Sequence, residues 1–190
     1  MLKDFIHKTM EGVCDRYSRI LDDYYPSFKS IGFTERNLTY NFCSQYEKLR
    51  KKKSLVVWQE APLNPKICPN QHIDSLIIDW KNTFLIEAKR LNKREKVDSV
   101  MDDIDRLKKI ATTPDLLNGV DGRNLHFVIL ADIWIPRGET EGIKTSILKD
   151  FKEKVSNKGF EILLEKVIER HSHKDYISEN EEYMILCAYK

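Results

Sequence analysis

The sequence predicts a single α/β domain with a central mixed β-sheet flanked by helices, and three features of the chain point to it. At 190 residues, 41% of them hydrophobic, the chain has the size of one globular domain and can bury a core. Helical and strand periodicities succeed one another in the order helix, helix, three strands, helix, strand, helix and one or two closing strands. The run His126 to Ile135 is nearly continuous in apolar residues, as expected of a strand covered on both faces.

No repeat, low-complexity tract or Pro/Gly/Ser-rich linker divides the chain. Within one domain, 1–33 forms a helical extension, 34–135 a core region, and 136–190 a helix and strands that complete the sheet. In the extension Phe5, Ile6, Val13, Tyr17, Ile20, Leu21 and Tyr24 recur at helical spacing until Pro26 stops them. A second helix starts after Gly32 with Thr34 as N-cap, carries Leu38, Phe42, Tyr46 and Leu49 on one stripe, and ends in the basic run Arg50 to Lys53.

Leu55 to Trp58 reads as a short apolar strand leading to Gln59, Glu60, Ala61 and Pro62, where the proline ends ladder pairing. His72 to Asp79 and Phe84 to Arg90 are two apolar runs whose separation by Trp80, Lys81, Asn82 and Thr83 suits a hairpin. Val97, Val100, Met101, Ile104, Leu107 and Ala111 mark a helix closed by Pro114. A further helix carries Ile143, Ile147, Phe151 and Val155 and ends at Asn157 and Gly159. Phe160 to Ile168 suits strand or helix equally, whereas Tyr183 to Tyr189 reads as a strand.

Lys and Arg total 32 against 30 Asp and Glu, so the net charge of +2 supplies no bulk attraction for a polyanion, and any nucleic-acid surface must be a local patch. The four cysteines are scattered without a CxxC pair, as buried small hydrophobes in a reducing compartment would be. Cys68 and His72 have the spacing of half a zinc site, but no second pair stands near them. With no signal-peptide core and no run of 18 apolar residues, a cytoplasmic protein without a membrane partner is expected.

The hairpin carries the chemistry. Side chains alternate across a strand, so Glu87 and Lys89 share a face, as do His72, Asp74, Leu76 and Ile78. A four-residue loop at Trp80 to Thr83 sets Asp79 opposite Phe84, Asp74 opposite Lys89 and Leu76 opposite Glu87, which gathers the three charged groups. A slip of one residue would part Asp74 from the pair. Two carboxylates embedded in apolar sequence need a cation, and Mg²⁺ binds through one or two carboxylates plus waters and a substrate phosphate. Lys89 beside it would position or deprotonate an attacking water, or offset charge on the phosphate. The competing reading is an exposed charged hairpin face with Lys89 and Asp74 as a cross-strand pair.

Ile73-Asp74, twelve intervening residues and then Glu87-Ala88-Lys89 resemble the signature of the PD-(D/E)XK nuclease superfamily, the restriction-endonuclease-like proteins. That resemblance implies a metal held by Asp74, Glu87 and the Ala88 carbonyl, with Lys89 assisting the attacking water. It also implies a helix-strand-strand-strand-helix-strand order, which matches 34–135, and a Glu on the helix before the hairpin, for which Glu35 is the best match. At about 100° per residue Glu35 lies roughly 40° from the centre of its helix's stripe, whereas Glu47 points away. Ile73 stands where the family has its proline, and the helix after the hairpin lacks a Gln-x-x-x-Tyr subgroup signature.

The expected activity is therefore Mg²⁺-dependent hydrolysis of nucleic acid, DNA being the expected form, with Mn²⁺ as a substitute and a homodimer as an option. The alternative is an inactive nuclease-fold module that binds nucleic acid or a protein. Glu60 is a further acidic candidate. Arg90, Lys93, Arg94, Lys51, Lys52 and His72 are candidate nucleic-acid contacts, because basic residues leave the hairpin directly and crowd the end of the second helix. Asp98, Asp102, Asp103, Asp105, Arg106, Lys108 and Lys109 read as one solvated face, and Trp58, Trp80 and Trp134 as packing residues.

Overall fold

The computed structural model describes residues 2–23, 33–52, 54–117, 122–136, 138, 141–168 and 181–190. Tyr24, Pro26, Gly32, Lys53 and the polar stretch with His171 and His173 lie outside them. The elements are α1 (Leu2–Asp23), α2 (Glu35–Arg50), β1 (Val56–Pro62), β2 (His72–Asp79), β3 (Asn82–Arg90), α3 (Glu95–Thr112), a 3₁₀ turn (Pro114–Leu116), β4 (Asn124–Pro136), α4 (Ile143–Asn157), β5 (Glu161–Ile168) and β6 (Glu181–Tyr189). The ambiguous segment before Ile168 is thus a strand.

The six strands form one mixed sheet in the order β1-β2-β3-β4-β6-β5. Only β3 and β4 run parallel, joined through α3, and the other neighbours are antiparallel. Alternation along the strands splits the core into two layers. Phe84, Ile86 and Ala88 of β3 pack with Val128, Leu130 and the apolar stripes of α1 and α2. Leu85 packs on the other side with Leu76, Ile129 and the stripes of α3 and α4. The protein is an α/β fold of a mixed sheet between helical layers. No helix among the described residues is long and apolar enough to cross a membrane.

Local chemistry sets the ends of α2. Thr34 is extended (φ −124°) and its hydroxyl accepts the Asn37 N–H at 3.2 Å, and Lys51 closes the helix in the left-handed region (φ 48°). Asp79, buried beside the hairpin turn, takes Tyr46 Oη–H at 3.1 Å and the guanidinium of Arg50, which ties the far end of α2 to the β2–β3 corner. All four cysteines are free and buried, as expected of small hydrophobes.

The hairpin loop differs from the expected one. Asp79 pairs with Asn82 and Ile78 with Thr83, so only Trp80 and Lys81 connect the strands. Asn82 and Thr83 belong to β3. The register is therefore displaced by two residues from the expected pairing of Asp79 with Phe84. Because the side-chain period is two, this displacement returns every side chain to the face predicted for it.

The tight turn places Trp80 at φ 53°, with its side chain 69% exposed. Little packing opposes a smaller residue there, and a left-handed conformation costs an ordinary residue about 1 kcal/mol. Trp80→Gly is expected to raise stability by up to that amount, read as a higher urea midpoint at unchanged slope. A lower midpoint would show that the indole holds the turn together.

Candidate active site

The β2–β3 ladder stops at Ser75↔Ile86, although β2 continues to His72 and β3 to Arg90. One further step of the same register sets Asp74 across from Glu87, not across from Lys89. On its other side Asp74 is skipped as well: Gln59↔Ser75 and Ala61↔Ile73 flank it, and Glu60, which would face it, sits at φ 53°. An irregularity of this kind at a strand end re-aims side chains. Asp74 uses the freedom to accept the Ala88 N–H on Oδ2 at 2.8 Å. Strand β3 itself stays fixed, because its pairing with β4 runs unbroken to Arg90↔Asp132.

Glu87 is 2% exposed on the α3 side of the sheet. Arg106 of α3 donates from Nη2 to Glu87 Oε1 at 2.6 Å, and the same nitrogen lies 2.9 Å from Asp103 Oδ1. The other Asp103 oxygen, Oδ2, lies 2.9 Å from Lys89 Nζ, whose side chain is 17% exposed. Glu87, Arg106, Asp103 and Lys89 thus form a chain of alternating charge, with Asp74 beside its first member.

Three carboxylates meet two cations here. Burial pushes Glu87 up to about 8, the adjacent Asp74 charge adds to the rise, and Arg106 opposes it. Asp74 is also raised, burial again leading, while the Ala88 N–H, Lys89 and a hydrogen bond from Glu87 hold it down. Both carboxyls are therefore pushed toward the protonated form where positive charge is short. Lys89 is raised despite its burial, because Asp103 hydrogen-bonds to it and attracts its charge.

This donor set suits a hard divalent cation, which takes carboxylate oxygens and would supply the positive charge that the pair lacks. Among the described residues no three His, Cys, Asp or Glu side chains are gathered in a group that could hold a metal. Asp74 and Glu87 would thus supply two ligands, with water and substrate oxygens completing the shell.

The remaining predicted residues divide. Ala88 is fully buried behind the pair. Glu35 accepts the Arg90 N–H at 3.0 Å and lies 3.8 Å from Lys96 Nζ, so it braces the end of β3. Glu47 is exposed, as its helix position predicts. Glu60 pairs with Arg36 at 3.0 Å and with His72 at 2.7 Å on the sheet's outer rim. Arg90 points to the opposite face, where it binds the buried Asp132 at 3.1 Å. Lys93 is exposed, and Arg94, also exposed, stands 3.8 Å from Asp150. Lys51 and Lys52 lie at the far end of α2, a helix of 16 residues and so about 24 Å long, from Glu35. Lys52 approaches Asp79 there, away from Asp74. Trp58 and Trp80 are exposed instead of packed, whereas Trp134 joins Phe33 and Tyr183.

Asp103 and Arg106 are the residues that the sequence reading consigned to a solvated face. Comparison with family models, curated proteins and solved structures finds no match.

Glu87 also sets a pH dependence. Its folded value lies above the ordinary 4.5, so between 4.5 and about 8 the folded state keeps a proton that the unfolded chain has lost. That contribution is complete below 4.5 and fades as pH rises through 8. Metal-free protein is expected to lose stability across this window, and Glu87→Gln to flatten the loss, in urea titrations with chelator at pH 5 and pH 8. An equal slope in both proteins would assign the loss to other groups.

Proposed function

We propose that the protein is a divalent-metal-dependent nuclease that hydrolyses phosphodiester bonds of nucleic acid, DNA being the expected form, after the PD-(D/E)XK pattern. The observation that carries this reading is the facing pair Asp74 and Glu87 at the open end of the hairpin, with Lys89 two residues along the same face of β3. The order α2-β1-β2-β3-α3-β4 supports it further.

Asp74 and Glu87 would hold Mg²⁺, or Mn²⁺ in its place, with the Ala88 carbonyl as the further ligand that the family pattern implies. The bound cation supplies an acidified water and neutralises charge on the phosphate. Lys89 then acts as a charged donor. Its ammonium is paired with Asp103, which favours the charged form and so argues against a general base and for stabilising the charge that builds on the phosphate oxygens. Ala88 N–H fixes the Asp74 carboxylate, and the apolar wall of Leu76 and Leu85 excludes water behind it. Lys93 and Arg94, exposed just beyond β3, would meet the phosphate backbone, whereas Arg90 belongs to the Asp132 cluster.

One observation favours the inactive-module reading: Glu87 and Lys89 are both engaged by α3. Labelled DNA and RNA incubated with and without Mg²⁺ separate the two. Cleavage is expected only with the cation, and Asp74→Ala or Lys89→Ala is expected to lower it by about a hundredfold or more with the fold retained by circular dichroism. Wild-type cleavage by Lys89→Ala would remove that residue from the chemistry. Nucleic-acid binding without cleavage under any divalent cation would establish the module instead.

A further inference from the structure

We infer that Arg106 is a phosphate-binding residue held in reserve by Glu87, exchanged from the carboxylate to the nucleic-acid backbone when a cation takes its place. This rests on the metal-dependent reading above. Arg106 Nη2 is shared by Glu87 Oε1 at 2.6 Å and Asp103 Oδ1 at 2.9 Å, so the guanidinium occupies the cationic position beside the proposed ligand. A divalent ion at Glu87 weakens that bond by competing for the carboxylate and by repelling the guanidinium.

Asp103 keeps hold of the released side chain, since its bond to Nη2 does not involve Glu87. Asp103 in turn is anchored through Oδ2 to Lys89. Arg106 also borders a surface depression of about 480 Å³, where Lys109 and Gln71 stand with it and Asp102 and Asp105 are the acidic members of the lining. Its Nε, buried, has no hydrogen-bond partner among the described residues. A planar fork whose Nε is unpaired, released from Glu87 and next to Lys109, suits a phosphate diester, which it can bind through two parallel bonds. Arginine at this position thus balances Glu87 before the cation arrives and grips substrate afterwards.

The exchange predicts opposite effects of one substitution on two ligands. Arg106→Gln removes the competing charge, so Mn²⁺ alone, followed by the electron-spin signal of the free ion, should bind about fivefold or more tightly. The same variant should bind a hydrolysis-resistant phosphorothioate DNA oligonucleotide, with Mn²⁺ saturating, about tenfold or more weakly. Arg106→Lys should keep metal affinity near wild type and still lose oligonucleotide affinity, and it serves if the glutamine variant fails to fold.

A side chain that merely orients Glu87 would give weaker Mn²⁺ binding on its removal, and that result overturns the inference. Unchanged oligonucleotide affinity in both variants does so as well. If wild-type protein shows no Glu87-dependent Mn²⁺ binding, the metal-dependent reading fails and takes the exchange with it.

Discussion

Glu87 has to be reconciled with a position almost without water, in the central part of the sheet and facing a second carboxylate. Isolated, such a charge would cost several kcal/mol, so the surrounding elements are arranged to compensate it. β3 is fixed by its parallel pairing with β4, and α3, the crossover that this parallel pairing requires, passes over the same face. The helix that makes the topology possible therefore also delivers Arg106 and Asp103 to the pair. Fold and charge balance share one element, and neither can be altered there independently.

The facing of Asp74, Glu87 and Lys89 was legible in the sequence for a reason stronger than the loop that was assumed. A four-residue loop and a two-residue loop differ by an even number of positions, and strand faces are unchanged by even displacements. What depends on the loop is the cross-strand partner, and here Asp74 meets Glu87 where Lys89 was expected. The two-residue turn was hidden because Trp80 in the left-handed region replaces the Gly or Asn that normally announces one. The splay at Asp74 was illegible for a related reason: it arises from a side-chain oxygen taking a backbone amide, and no composition signals that.

Asp103 was within reach of the sequence but was missed. A stripe drawn through Val97, Ile104, Leu107 and Ala111 leaves Asp103 at its margin, whereas Ala111 is exposed and Ile110 is buried. Once Ile110 replaces Ala111, Asp103 falls between Leu107 and Ile110 at about 100° per residue, inside the buried arc. An acid inside such an arc requires a partner, and Lys89 and Arg106 are the partners. Arg106 itself lies outside the arc, and only its length lets the head group turn back. The basic residues at the end of β3 part into two sets for a simpler reason. Arg90 and Lys89 are neighbours in sequence, so a strand must send them to opposite faces.

Opposite faces also explain the place of Glu35. Helix α2 packs in the layer of Phe84, Ile86 and Ala88, while Asp74, Glu87 and Lys89 look into the layer of α3. The sheet separates the two, so a carboxylate from α2 can approach the site only past the end of β3. Glu35 does so at the Arg90 amide, one residue beyond Lys89, and the bond it makes there is to backbone. Glu35 aims inward as its helix position predicts, and in this structure its carboxylate is engaged by the Arg90 amide beside Lys89. Held by an N–H on one side and near Lys96 on the other, it braces the end of β3 next to Lys89. The metal centre proposed here therefore draws on both helical layers: α3 supplies charge to its carboxylates, and α2 braces the end of the strand that β4 holds in place.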